Sequence, residues 1–145
     1  MKKYDPKMHS TEHLLNQTMV RMFNKGRSFS AHIEKKKSKV DYHFDRVLTE
    51  NEIAEIQKRV NDIIKSNLDV REEFYPIEEA EKKFNLSKLP EDAGDNIRII
   101  HIGDYDSCPC IGNHVKNTNE IGVFKIISTN YENGVLRIRF KLNDK

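Results

Sequence analysis

Two long segments of the chain carry apolar side chains at helical spacing. The first begins at Asp5-Pro6, an N-cap carboxylate followed by a proline at the first helical position, and ends at residues 24–26, whose glycine is predicted at C′. The second begins at Thr49, which forms a capping box with Glu52, and reaches Ser66 with isoleucine and valine side chains along one face. The pattern therefore predicts two amphipathic helices.

The rest of the chain contains short runs of β-branched and aromatic residues bounded by turn residues, which is typical of strands. Strands are predicted at residues 27–34, 39–47, 68–75, 96–103, 122–129 and 134–142, with a short helix at 76–84 and connections at 35–39, 86–95, 104–121 and 130–133. The first two and the last two strands each form a hairpin. Because hairpins are mixed with helices, we predict an α+β fold: a single domain over residues 1–145, with an antiparallel sheet packed against the two longer helices.

Composition narrows the class of protein. A chain of 145 residues, 37% hydrophobic and 33% charged, suits one globular domain. It has no run of about twenty apolar residues that could span a bilayer and no apolar segment behind its first lysines, so we expect a cytoplasmic protein without a membrane partner. A net charge of +2 means that any nucleic-acid contact depends on local patches.

Two pairs of metal-ligand residue types share the same spacing. His9 and His13 lie on one face of the first helix, and Cys110 and His114 lie in a loop. Three imidazoles and one thiolate suit tetrahedral Zn²⁺, which predicts a zinc site between the first helix and a C-terminal loop. Cys108 forms a Cys-x-Cys pair with Cys110 and could replace one of these ligands. Histidines at this spacing are also common on helix surfaces, and cysteine is also common as a small core residue.

The residues around these pairs resemble a known family. They are the His-x3-His-Leu-Leu sequence at 9–15, the Cys-x-Gly-x-His-Val sequence at 110–115, and the Asn-Thr-Asn-Glu-Ile-Gly turn at 117–122. Together they resemble the editing domain of alanyl-tRNA synthetases and its free-standing AlaX-type relatives, a framework shared with threonyl-tRNA synthetases. The resemblance covers nearly the whole chain. Asn119 stands where the family usually has glycine, and asparagine tolerates the positive φ that such a turn would need.

The resemblance implies an enzyme of translation fidelity. The short AlaX-type form is the best match, because an aminoacylation core does not fit beside this one domain. Such proteins hydrolyse, in trans, the ester of misacylated tRNA at its 3′-terminal adenosine. The family implies zinc as cofactor, His9, His13, Cys110 and His114 as its ligands, and Ser-tRNA(Ala) as substrate, with Gly-tRNA(Ala) as a second one. The zinc could orient the tRNA end or activate water, and both roles fit this ligand set.

The resemblance also suggests where substrate would bind. Small hydroxyl residues after the first helix recognise the hydroxyl of misattached serine in this family, which makes Ser28 the first candidate, with Ser30 and Gly112 beside it. Ser28 fits a solvent-facing strand serine equally well. Candidate tRNA contacts are Arg27, Lys35, Lys36, Lys37, Lys39 and Lys116, although a lysine run is also typical of a solvated turn.

No catalytic base is assigned. His32, His43 and His101 have the right chemistry, but no motif surrounds them, and all three also fit ordinary strand histidines. Two other function classes fit the same features. One is a non-catalytic zinc-containing module that binds tRNA or a synthetase, and the other is a hydrolase of a small acylated compound.

Overall fold

The structure, a computed structural model, describes residues 5–84, 86 and 94–144. Its α-helices are α1 (Pro6–Phe23), α2 (Glu50–Lys65) and α3 (Ile77–Lys83), and a 3-10 helix spans Thr118–Glu120. Its strands are β1 (Ser30–His32), β2 (Ser38–His43), β3 (Val70–Pro76), β4 (Asn96–Ile102), β5 (Asp106–Pro109), β6 (Val123–Glu132) and β7 (Val135–Asn143). The predicted α+β class is therefore confirmed for these residues. Most of the predicted connection at 86–95 lies outside them.

The strands form two antiparallel sheets rather than the single sheet predicted. One has the order β1-β2-β7-β6 and the other the order β3-β4-β5. In the first sheet β2 pairs with β7, bringing Ser38 opposite Phe140, so the two predicted hairpins lie side by side. The prediction was wrong because the hydrophobic pattern specifies which residues form a strand but not which strand becomes its partner.

The two long helices begin where the sequence predicts. The Asp5 side chain accepts a hydrogen bond from the N–H of Met8 (3.0 Å), and the side chains and backbones of Thr49 and Glu52 form the reciprocal capping box. At the end of α1, Asn24 (φ 56°) rather than Gly26 is the left-handed cap residue, and its N–H donates to the Val20 carbonyl. The main core lies between these helices and the four-stranded sheet. No helix in the described part of the chain has the length and apolar character to cross a membrane.

Two connections differ from the prediction. Residues 106–109, expected to lie in a loop, form β5, which pairs with β4 and places Cys108 opposite Ile100. The last hairpin turns on Asn133 (φ 50°) and Gly134 (φ 82°), so β6 and β7 extend through residues that were assigned to the turn. An Asn-Gly pair with positive φ at both positions is the preferred two-residue hairpin turn, which explains the longer strands.

The Asn-Thr-Asn-Glu-Ile-Gly segment folds as a short helix. Asn119 lies inside the 3-10 helix, where its N–H donates to the Asn117 side chain (2.9 Å), and it does not have the positive φ that was expected of it. Gly122 does, at φ 101°, and a Cβ there would lie 2.4 Å from the Asn143 carbonyl oxygen. The glycine of this segment is therefore required both by its backbone conformation and by contact with the end of β7.

Candidate metal centre

The structure brings together the four predicted metal ligands. One ligand atom from each of His9, His13, Cys110 and His114 lies within 4.8 Å of all the others. The Cys110 Sγ atom is 3.2 Å from Nε2 of His9 and 3.4 Å from Nε2 of His114. The two histidines of α1 are nearly buried, at 4% exposure each. This cluster could hold a metal ion between α1 and the loop after β5.

The three imidazole rings pack closely around the thiol. The rings of His9 and His114 stack with 4.1 Å between centroids, and the ring of His13 lies nearly perpendicular to both, at 5.1 and 4.5 Å. Three rings and a thiol at these separations leave room for a small ion whose bonds to nitrogen and sulfur are about 2.0–2.3 Å. A tetrahedral cation therefore fits the geometry of the cluster.

The second nitrogen of each ring has its own partner. Nδ1 of His9 is 3.0 Å from the carbonyl of Asn113, and Nδ1 of His114 is 2.9 Å from the hydroxyl of Ser10. The Ser10 oxygen also accepts from the N–H of Val115 (3.2 Å), which joins α1 to the loop. A histidine that donates from Nδ1 presents the lone pair of Nε2 to a metal, so these contacts orient the rings as ligands.

Asp106 is the partner of the third histidine. Its Oδ2 lies 3.4 Å from Nδ1 of His13, an ion-pair distance, and its side chain is wholly buried. The carboxylate also accepts from Arg27 (Nη1 to Oδ1, 2.7 Å; Nη2 to Oδ2, 3.3 Å) and from Nε2 of Gln17 (2.9 Å). A buried charge with three partners can hold an imidazole in one orientation.

The protonation of the cluster favours a cation. Burial opposes ionisation of the Cys110 thiol, but hydrogen bonds from the three imidazoles lower its pKa to about 3. Burial lowers the pKa of His114 to about 4. Burial would also lower the pKa of His13, yet the Asp106 carboxylate and the Cys110 thiolate outweigh it and raise that pKa to about 10. Cys110 is thus a thiolate beside an imidazolium, His13, and a divalent cation bound between them would displace the extra proton of that ring.

Cys108 stands apart from this cluster. Its thiol points to the Pro109 carbonyl (3.5 Å), and burial raises its pKa, so it stays protonated. Among the described residues it is not one of the four converging groups. The position follows from β5, because Cys108 is held opposite Ile100 in the sheet whereas Cys110 lies beyond its end.

The three predicted pocket residues occupy different environments. Ser28 is completely buried, and its N–H donates to Oδ1 of Asn16 (3.1 Å), which also accepts from the Tyr42 hydroxyl (2.8 Å). Ser30 is exposed on β1, so the solvent-facing description fits Ser30 and not Ser28. Gly112 is buried, and its carbonyl accepts from Nη1 of Arg98 (2.9 Å).

The predicted tRNA contacts are spread over the surface. Lys35, Lys36 and Lys37 are exposed in the turn between β1 and β2, Lys39 lies on β2, and Lys116 is exposed after the loop. Arg27 is instead paired with Asp106, which places it behind His13. Among the other histidines, His32 pairs with Glu34, His43 stacks on Phe29, and His101 contacts Ser107 and Glu73.

Sequence reasoning missed the residues that hold the ligands in place. They are Ser10 on α1, Arg98 on β4 and Asp106 on β5, together with Glu12, whose Oε1 lies 3.9 Å from Nε2 of His9. Asn16, which was also missed, holds Ser28 and Tyr42 instead. One signal was available: α1 buries several polar side chains within its apolar stripe. Buried polar groups need partners, so polar residues at such positions beside a ligand pair indicate a site.

Comparison with known proteins supports the resemblance to the editing domain of alanyl-tRNA synthetases. A family model described as "Threonyl and Alanyl tRNA synthetase second additional domain" matches residues 97–139, which include Cys110 and His114. Alanine–tRNA ligase of Fervidobacterium nodosum is 31% identical over 121 residues, or 83% of this chain, and that of Neisseria meningitidis is 32% identical over 127 residues, also 83%. The ligase of Thermoanaerobacter sp. is 41% identical over 88 residues, or 61% of the chain.

These matches cover a small part of each relative. The chain spans 14% of the Fervidobacterium and Neisseria ligases and 10% of the Thermoanaerobacter ligase. The matches to the Fervidobacterium and Neisseria ligases span most of the chain. They agree with the family model and with the convergence of both motifs in one cluster. The chain belongs to the superfamily of alanyl- and threonyl-tRNA synthetase editing domains and is an AlaX-like member of it.

Proposed function

We propose that this chain hydrolyses the ester bond of misacylated tRNA, in trans, with Ser-tRNA(Ala) as its main substrate and Gly-tRNA(Ala) as a second one. We propose Zn²⁺ as its cofactor and the whole chain, residues 1–145, as the editing domain. The observation that carries the proposal is the convergence of His9, His13, Cys110 and His114 in a member of this superfamily.

The chain's own residues would prepare the site. A bound Zn²⁺ would supply electrophilic polarisation of the ester or of a water molecule. Asp106, Asn113 and Ser10 fix the three imidazoles, and Arg98 donates to the carbonyls of Cys110 (3.1 Å) and Gly112, which holds the ligand loop against β4. The reacting ester would therefore meet groups that need little rearrangement.

Ser28 would recognise the misattached amino acid. Asn16 accepts from its N–H and from Tyr42, and all three residues are buried, so the backbone around Ser28 is fixed relative to α1, which carries two of the ligands. A site built to hydrogen-bond a hydroxyl discriminates strongly against an analogue that lacks one. This placement supports hydrolysis of seryl esters while alanyl esters are spared.

The direct test is a panel of mischarged tRNAs. Purified zinc-loaded chain, added to preformed Ser-tRNA(Ala), Gly-tRNA(Ala) and Ala-tRNA(Ala), is expected to release serine fastest and to leave most of the alanyl ester intact. Hydrolysis of no member would contradict the proposal, and tRNA binding without turnover would favour the non-catalytic module. Equal hydrolysis of a short 3′-end mimic and of full-length tRNA would favour a small acylated compound as substrate.

Ser28→Ala tests the recognition of serine. We expect kcat/KM for Ser-tRNA(Ala) to fall roughly tenfold, as for the loss of one neutral hydrogen bond, while hydrolysis of Gly-tRNA(Ala) changes little. Ser30→Ala, on the exposed edge strand, is the matched control and should behave like the wild type. An equal loss on the seryl and glycyl substrates would show that Ser28 supports the fold and does not select the substrate.

A further inference from the structure

The four-stranded sheet has one buried and one open face. Val40 and Tyr42 of β2 and Leu136, Ile138 and Phe140 of β7 point into the core. The alternate residues form the other side, which we call the outer face. Its charged side chains are Lys39 and Asp41 on β2, Arg137, Arg139 and Lys141 on β7, and Lys125 and Glu132 on β6. Because side chains alternate along a strand, five basic and two acidic side chains share this side, and it is basic as a whole.

Like charges oppose each other across this face. Lys39 is paired with Arg139, and Lys125 with Lys141, in the registers of β2–β7 and β6–β7. Directly opposed like charges destabilise a sheet. Arg137 is neutralised by Asp41 (2.8 and 3.0 Å), but no carboxylate in the described part of the chain lies within ion-pair distance of the other four. An anion over the face would relieve this repulsion.

The outer face reaches the metal centre through the edge strand. Ser30 of β1 is paired with Asp41 on the outer face. Three residues earlier, Arg27 contacts Asp106 behind His13. Three residues of extended chain span at most about 10 Å, so a ligand bound at the centre could continue onto this face.

An exposed aromatic pair lies at the same junction. Phe29, 41% exposed, stacks on the exposed ring of His43 with 4.1 Å between centroids and 15° between planes. Nucleobases stack on such rings, whereas an acidic peptide or a lipid headgroup has no base to place there. A basic sheet face that borders an exposed aromatic pair therefore favours RNA over other polyanions.

We propose that the outer face binds the phosphate backbone of tRNA, with Lys39, Arg139, Lys125 and Lys141 as the contacts and Phe29 as a platform for an unpaired base near the 3′ end. The inference rests on the proposed tRNA substrate. It assigns the tRNA body to the side of the sheet opposite α1, while the 3′ end turns around β1 to the metal centre.

The test is the salt dependence of binding to uncharged tRNA. For Lys39→Gln/Arg139→Gln we expect the slope of log affinity against log salt to become shallower by about 2, one for each lost phosphate contact. Lys58→Gln/Arg59→Gln removes the same charge from α2, where both side chains are already paired with Asp62 and Glu55, and should keep the wild-type slope. Phe29→Ala should weaken binding roughly fivefold or more without changing the slope.

The outcomes distinguish a failure of the proposed tRNA-binding surface from a failure of the proposed hydrolysis. An unchanged slope in Lys39→Gln/Arg139→Gln, or an equal loss in the α2 control, would overturn the surface, as would binding of anionic vesicles in place of tRNA. Removing the opposed charges should leave the melting temperature unchanged or raise it, so unfolding cannot imitate the expected result. A chain that shows these slopes but hydrolyses no mischarged tRNA refutes the proposed function alone.

Discussion

Cys110→Ser is expected to remove bound zinc, from about one ion per chain to a small fraction of that, and to abolish deacylation with it. The thiolate is the one negatively charged donor of the cluster, and its pKa of about 3 keeps it ionised at neutral pH. Losing it should weaken zinc binding by more than the roughly 10- to 100-fold that follows the loss of a group behind a ligand. Elemental analysis after dialysis measures the effect.

Cys108→Ser is the matched control for this experiment. It makes the same chemical change two positions earlier, at a thiol that stays protonated beside the Pro109 carbonyl. We expect it to retain both zinc and activity. Far-UV circular dichroism of the two variants separates ligand loss from unfolding, and His114→Ala provides a second ligand variant. Full zinc content in Cys110→Ser, or loss of zinc in Cys108→Ser alone, would refute the ligand set.

Asp106→Asn is expected to affect both stability and metal affinity. The change leaves the Arg27 guanidinium without its buried counter-charge, and breaking such a pair costs about 3–5 kcal/mol of unfolding free energy. It also removes the negative charge that faces Nδ1 of His13, so zinc affinity should fall roughly 10- to 100-fold. Chemical denaturation measures the first quantity, and competition with a chelator under native conditions measures the second.

Gln17→Leu distinguishes the charge of Asp106 from its hydrogen bonds. Gln17 donates a hydrogen bond from its neutral amide to the same carboxylate (2.9 Å), and losing it should cost about 1.5–3 kcal/mol, as for a hydrogen bond to a charged group. The contact to His13 is unaffected, so zinc affinity should stay at the wild-type level. If Asp106→Asn bound zinc as tightly as the wild type, Asp106 would stabilise the fold without orienting His13.

The fold was predictable where local signals and long-range packing agree. Helices α1 and α2 have specific N-caps and a continuous apolar stripe, and both begin at the predicted residues. Strand β5 was missed because it is short and contains cysteine and proline. Only its pairing with β4 identifies it as a strand. The pairing of the strands also divides them into two sheets. A hydrophobic pattern does not specify which strands pair.

The site was predictable for the groups that chemistry restricts to a few residue types. A tetrahedral cation of this class accepts cysteine and histidine at characteristic spacings, so the four residues that converge in the structure could be selected from the sequence. Their supporting groups are less restricted, because a carboxylate, a carbonyl or a hydroxyl can each orient an imidazole. Asp106, Asn113 and Ser10 show all three solutions within one centre, and only the folded chain reveals which group serves which ring.

The sequence distance between the two halves of the centre also matters for unfolding. His9 and Cys110 are 101 positions apart, yet their ligand atoms lie 3.2 Å from each other. An ion held between them would act as a reversible cross-link around most of the chain. For a disulfide that closes a loop of this size, the lost freedom of the unfolded chain is worth about 4–5 kcal/mol. Loss of the ion would return that conformational entropy to the unfolded chain. Metal supply would thus influence how readily the protein unfolds and is cleaved by proteases.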